Sequence, residues 1–114
     1  MSRHMAYEPG EWVRATIHRI ATTEHTYRTG RVVVANDLAA FVYFEGLLEG
    51  RTFLLTIDEM TSVTPLMKLA LELASEPIPE KVTAQKVDMY AWLALNYPGI
   101  SIDMNDSITI ADRL

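Results

Sequence analysis

The chain is 114 residues long, 49% apolar and 22% charged, contains no cysteine and carries a net charge of −5. This length predicts one domain, residues 1–114, and the lack of cysteine excludes disulfides, thiolate nucleophiles and cysteine-based zinc sites. No apolar run approaches the ~18 residues of a membrane span, and no apolar segment of a secretory signal peptide opens the chain, so we expect a cytoplasmic protein with no membrane partner.

The net charge is concentrated in the second half of the chain. Residues 1–57 contain six basic and six acidic side chains, whereas residues 58–114 contain four basic and nine acidic ones. Binding to nucleic acid or to anionic lipid depends on clustered positive charge. The negative net charge and the lack of a basic run therefore argue against nucleic acid as a partner.

The first half of the chain predicts β-strands. Residues 1–4 resemble a cloning remnant and carry no functional interpretation. Residues 11–20 alternate between apolar and polar side chains, as a half-buried strand does, and the polar, threonine-rich segment 21–29 predicts a loop. Four strands about ten residues apart indicate a meander or a small barrel. The remaining three strands are predicted at 31–35, 40–45 and 51–57.

Short motifs mark the ends of these strands. Pro9-Gly10-Glu11-Trp12-Val13 opens the first strand, and Gly30-Arg31-Val32-Val33 opens the second. Val42-Tyr43-Phe44 and the closing segment 57–64 complete the pattern. With these features, residues 9–64 resemble an SH3-like small β-barrel of the KOW or Tudor type. The resemblance implies a fold that binds proteins, peptides or nucleic acids and rarely catalyses, although a fold does not determine a function.

The second half of the chain changes to a helical period. Thr64 and Pro65 predict an N-cap and a first helical residue, and Pro77 ends this helix. Lys68 and Glu72 lie four residues apart on the outer side and can pair weakly. One apolar face is shared by Leu66, Leu69, Ala70 and Leu73.

A second helix is predicted over residues 83–97, where Pro98-Gly99 stops it. One stripe of this helix is formed by Val87, Tyr90, Ala91 and Ala94, which we expect to face the strands. The alternating tail, residues 99–111, predicts a short terminal hairpin. The fold class is therefore α+β: a four- to five-stranded antiparallel SH3-like barrel or meander over 9–64, a helical pair over 65–97 and a C-terminal β-hairpin.

The second helix also carries the clearest sign of a partner. Large apolar side chains, Met89, Trp92, Leu93 and Leu95, extend its apolar surface around most of the circumference. Such a helix must be covered, either by its own domain or by a second subunit, where Trp and Met are favoured anchors. We expect a homodimer, with Trp92 on the side of the helix away from the strands.

The residues that commonly carry catalysis lack the required spacing. His18, Glu24 and His25 match no named metal-binding pattern, and none of the serines lies in a G-x-S-x-G motif. The scattered glycines form no phosphate-binding loop. We therefore predict no catalytic residue, no cofactor and no metal, and the protein is not expected to be an enzyme.

These observations favour a non-catalytic protein-binding module or adaptor that forms a homodimer. The first alternative is a small inhibitor or accessory protein of phage or other mobile-element type, which acts on a nucleic-acid enzyme through acidic residues Asp88, Asp103 and Asp106. The second is a nucleic-acid binder that uses an arginine and aromatic strand face. The candidate partner-binding residues are Trp12, Arg14, His18, Tyr43, Met89, Trp92 and Leu93.

Overall fold

The computed structural model describes residues 7–18, 25–44, 52–78, 82–97, 100–102 and 108–110. Five antiparallel strands form one open sheet, and two helices follow them, so the predicted α+β class is confirmed. The strands are β1 (Trp12–His18), β2 (His25–Ala35), β3 (Ala39–Tyr43), β4 (Thr52–Thr56) and β5 (Met60–Ser62), and the helices are α1 (Pro65–Ala74) and α2 (Ala84–Asn96).

Pairing of the strands gives the order β5–β1–β2–β3–β4. Consecutive strands from β1 to β4 pair as a meander, and β5 returns to pair with β1. A 3₁₀ turn, Ile57–Glu59, connects β4 to β5 and begins with a hydrogen bond of 2.8 Å from the Thr56 amide to Glu59 Oε1. Beyond β4, the short segments β6 (Ile100–Ile102) and β7 (Ile108–Ile110) extend the antiparallel pairing.

Strand β2 begins earlier than the sequence predicts. The prediction of a loop over 21–29 is wrong for residues 25–29, which belong to β2, while residues 19–24 lie outside the described ranges. The reason is the pairing partner: β1 and β2 pair without interruption from Trp12 opposite Arg31 to His18 opposite His25. Threonines fit a pleated surface well once a neighbouring strand is present.

One face of the sheet carries a first hydrophobic core. Among the described residues, this core contains Tyr7, residues of the five strands and Phe44, which follows β3, and Val13, Val32 and Val42 have no exposed surface. None of the described α-helical residues belongs to this core. Tyr7 closes one end: its hydroxyl donates to the Met60 carbonyl oxygen at 3.1 Å. Burial, with a smaller contribution from Glu11, raises the pKa of the Tyr7 hydroxyl.

The opposite face of the sheet is covered by α2. The predicted stripe is confirmed, since Val87, Tyr90, Ala91 and Ala94 are the buried residues of this helix. They pack on Ala39, Phe41 and Leu54 in a second core. The ring of Phe41 meets that of Tyr90 edge to face, with a centroid distance of 5.4 Å. Strand β3 is thus buried on both faces.

A polar contact fastens α2 to the turn between β2 and β3. Asn36 Oδ1 accepts hydrogen bonds from the amides of Leu38 at 2.8 Å and Ala39 at 2.9 Å. Its Nδ2 donates to Asp88 Oδ1 on α2 at 2.7 Å. The turn at Asn36 is therefore bonded directly to the helix.

We expect Asn36→Ala to lower the free energy of unfolding by about 2 kcal/mol, because it removes three hydrogen bonds at partly exposed positions. Urea denaturation of the wild type and the variant measures this change. Asp88→Ala is the matched control, since it removes only the bond to the helix and should cost less than half as much. Equal losses in the two variants would show that the turn bonds contribute nothing.

Candidate protein interface

Helix α1 turns its apolar face toward solvent. None of its residues is buried, and Leu66, Leu69 and Leu73 are 79%, 54% and 80% exposed. The sequence correctly places these residues on one face, yet this face does not join either core. Leu71, on the other side of the helix, is half-buried.

Local hydrogen bonds explain why α1 begins at Pro65. Thr64 Oγ1 accepts from the Met67 amide at 3.3 Å, which gives the N-cap that the sequence predicts. The Thr64 carbonyl oxygen accepts from the Lys68 amide at 2.8 Å, which completes the first turn. Capping fixes where the helix starts, but the capping bonds leave the apolar face uncovered.

The outer side of α2 forms a second exposed apolar surface. Met89 and Trp92 lie three residues apart on the side away from the sheet, and Trp92 is 59% exposed. The Asn96 side chain donates to the Trp92 carbonyl oxygen at 2.7 Å. Leu93 is different, because it is half-buried against the second core. Of the three candidates on this helix, Met89 and Trp92 share the exposed surface.

The candidates on the strands occupy a different region. Trp12, Arg31 and Tyr43 form a row across β1, β2 and β3, since Trp12 pairs with Arg31 and Arg31 with Tyr43. Trp12 is only 3% exposed, and the Arg31 guanidinium carbon lies 5.1 Å from its ring centroid. The ring of Trp12 is thus covered by its own chain, which leaves no open face on which a base could stack. Tyr43 is half-buried.

Of the remaining candidates, Arg14 lies on the same side of the sheet as that row, because it is two residues from Trp12 on β1. Arg14 is exposed on β1, whereas the side chain of His18 is not among those described. Asp88 is exposed on α2 and accepts the hydrogen bond from Asn36. Asp103 and Asp106 lie outside the described ranges. Of the three acidic candidates, Asp88 is therefore the one that lies within the described residues.

Comparison with known proteins and a search for membrane spans and metal sites leave the exposed surface as the guide to function. No protein-family model, curated protein or solved structure matches this chain. Neither α1 nor α2 is long and apolar enough to cross a membrane. Within the described residues, no group of three His, Asp or Glu side chains could hold a metal ion. The large apolar side chains on the exposed sides of α1 and α2 are not needed for the packing of either core, and they form the candidate interface.

Sequence analysis identified the α2 surface but missed the α1 surface. The overlooked signal is the breadth of apolar residues in Pro65–Ala74, which contains only two charged side chains, Lys68 and Glu72. A helix that buries one side needs a stripe of about 100°. At 100° per residue, the apolar residues of α1 span roughly 240° of its circumference, more than twice that width.

Proposed function

We propose that this protein is a non-catalytic protein-binding module that forms a homodimer and binds a different protein through Met89 and Trp92 on α2. The observation that carries the proposal is a tryptophan held 59% exposed on a helix whose opposite side is fully packed. Trp and Met are enriched among the residues that dominate binding. A helix already fixed by its core loses little further conformational entropy when a partner binds.

We further propose that the strand half is an SH3-like barrel and that the chain ends in a β-hairpin. The return of β5 to β1 supports the barrel, and so does a first core to which none of the described α-helical residues belongs. The pairing of Ile100 with Ile110 and of Ile102 with Ile108 supports the hairpin. In this arrangement the barrel is a rigid base, and α2 displays the binding surface on its outside.

Affinity capture from the source cells tests the binding surface. The wild type, Trp92→Ala and Tyr97→Ala are used as bait, and captured proteins are identified and quantified. Tyr97 is the matched control because it is also an exposed aromatic, at the end of α2 and on another side of the helix. We expect a specific partner to fall by about tenfold or more with Trp92→Ala and to be retained with Tyr97→Ala.

Two outcomes would contradict this proposal. A partner that binds Trp92→Ala as well as the wild type would place the binding surface elsewhere. A nucleic-acid enzyme that is retained by both of these variants but lost with Asp88→Asn would favour the inhibitor alternative. Circular dichroism of each variant confirms that the comparison is made between folded proteins.

A further inference from the structure

We propose that His18 and His25 bind one divalent transition-metal ion, of the class that prefers imidazole ligands. The two histidines occupy directly opposite positions where the pairing of β1 with β2 ends. This site does not depend on the protein-binding surface proposed for α2. It gives His18 a role different from the partner contact that the sequence favours, and it replaces the prediction that the chain binds no metal.

The register of the hairpin brings these two residues together, although their spacing along the chain does not. His18 and His25 are seven positions apart and match no named metal-binding pattern. The pairing of β1 with β2 runs without interruption from Trp12 opposite Arg31 to His18 opposite His25. Directly opposite residues of an antiparallel pair belong to the same face of the sheet. Two potential ligands are therefore neighbours on one face.

The hydrogen bonds of this hairpin make the two histidines the closer kind of antiparallel pair. The Val32 amide donates to the Glu11 carbonyl oxygen at 2.9 Å, so these two residues form a hydrogen-bonded pair. Hydrogen-bonded and non-hydrogen-bonded pairs alternate along an antiparallel ladder. His18 comes seven residues after Glu11, an odd number, so His18 and His25 are a non-hydrogen-bonded pair. In such pairs the Cα atoms lie about 4.5 Å apart.

This separation suits two ligands of a single ion. A zinc–imidazole bond is about 2.0–2.1 Å long, which places two nitrogens of a tetrahedral site about 3.3 Å apart. The β-carbons of opposite residues lie about 4.5–5.5 Å apart, so two imidazoles at these positions can bind the same ion. Once the first imidazole is bound, binding of the second is intramolecular, which strengthens the overall affinity by about 10²–10⁴-fold.

The chemistry of imidazole determines which ions fit. Imidazole suits zinc, copper and nickel, whereas magnesium and calcium prefer oxygen ligands. Among the divalent ions of this series, copper(II) binds a given nitrogen site most tightly. We therefore expect copper(II) to bind more tightly than zinc, and magnesium not to bind. Two histidines leave two positions of a tetrahedral ion for water or for a further donor.

A bound ion joins β1 to β2 across the ends of residues 19–24. A metal clip that closes a loop removes conformational freedom from the unfolded chain. An ion that binds the folded chain better than the unfolded one also stabilises the fold in proportion to its concentration. The site thus couples the stability of the hairpin to the supply of a transition metal.

Isothermal titration with zinc chloride tests the site. The wild type should bind one ion per chain, and His18→Thr and His25→Thr should each bind about a hundredfold more weakly or less tightly still. Threonine is used because it fits a strand well, and circular dichroism confirms folding. His4→Ala, which removes the third histidine of the chain, is the control and should bind like the wild type. A wild type that does not bind zinc overturns the proposal, as does loss of binding with His4→Ala.

Thermal denaturation gives a second measurement that does not depend on the heat of binding. Zinc should raise the Tm of the wild type by several degrees and should leave the Tm of His18→Thr and of His25→Thr unchanged. Magnesium should raise none of them. An equal rise with zinc in the wild type and in both variants would place the bound ion elsewhere and overturn the proposal.

A transplanted pair tests the register itself. Thr16 and Tyr27 are also directly opposite, two residues further from the end of the pairing. In a chain that carries His18→Thr and His25→Thr, the added changes Thr16→His and Tyr27→His should restore zinc binding. Thr16→His with Thr26→His should not, because a shift of one residue moves a side chain to the other face. Equal zinc binding by these two chains would contradict the assigned register.

The two proposals fail in different experiments. A chain that binds zinc through both histidines, but whose captured partner ignores Trp92, would keep the metal site and lose the α2 surface. A chain that loses its partner with Trp92→Ala, but binds no zinc, would keep the α2 surface and lose the metal site.

Discussion

Replacing Phe41 with alanine is expected to lower the free energy of unfolding by about 3–5 kcal/mol. Phe41 has no exposed surface and lies between the sheet and α2, with its ring against that of Tyr90. Its removal leaves a cavity in a core that the backbone of a central strand cannot collapse to fill. Because domains of this size are stabilised by about 5–15 kcal/mol in total, the variant should be close to the limit of folding.

Two further variants make this prediction specific. Phe41→Leu keeps most of the apolar contact and should cost clearly less than Phe41→Ala. Trp92→Ala should change the free energy of unfolding by under about 1 kcal/mol, since that side chain lies on the exposed surface of α2. Urea denaturation of the three variants gives the comparison. A loss for Trp92→Ala as large as that for Phe41→Ala would show that Trp92 belongs to the core.

The side of α2 that faces the sheet could be predicted because side chains return to the same face of a helix every 3.6 residues. Val87 and Tyr90 fall on one stripe with two alanines, and the small side chains allow the helix to approach the sheet closely. The same period places Trp92 on the far side. In this helix, burial follows from local geometry alone, so the sequence was sufficient.

The strands were harder to predict because their partners decide their length and register. The threonine-rich start of β2 looks like a loop in isolation, yet β1 pairs with it throughout. A register shift between Val32 and Val34 interrupts the alternation where β2 pairs with β3. In β3, alternation separates Phe41 from Val42 but cannot show that both faces are covered. Each of these features depends on a segment distant in sequence.

The face of α1 that carries Leu66, Leu69 and Leu73 illustrates a third limit. Amphipathic spacing correctly identifies which side chains share a face, but it does not say whether the cover comes from the same chain. Trp12 shows the converse, because an aromatic residue on a strand could be an exposed anchor or a packed ring. Its position beneath Arg31 follows from cross-strand pairing, which the sequence of β1 does not contain.

Gly30→Ala is expected to destabilise the fold by about 3 kcal/mol, the upper end of the usual cost of overpacking a core. A β-carbon at this position would lie 2.7 Å from Cδ1 and 2.8 Å from Cε1 of Phe44, and 2.8 Å from the Tyr43 carbonyl oxygen. The Phe44 ring is fixed in the first core against Phe53, at a centroid distance of 5.5 Å. The carbonyl belongs to the central strand, so neither neighbour can move away without loss.

The steric origin of this effect can be separated from backbone strain. Gly10→Ala is the matched control: nothing lies within 4 Å of its added β-carbon, but its φ of +89° disfavours any other residue, at a cost of about 1–2 kcal/mol. Adding Phe44→Leu should recover part of the stability of Gly30→Ala, because it removes the overlapping ring, and should recover none in Gly10→Ala. Thermal denaturation of six proteins, namely the wild type, Gly30→Ala and Gly10→Ala, each with and without Phe44→Leu, decides the matter. If Phe44→Leu lowers the stability of Gly30→Ala as much as it lowers that of the wild type, the ring of Phe44 is not the cause of the strain.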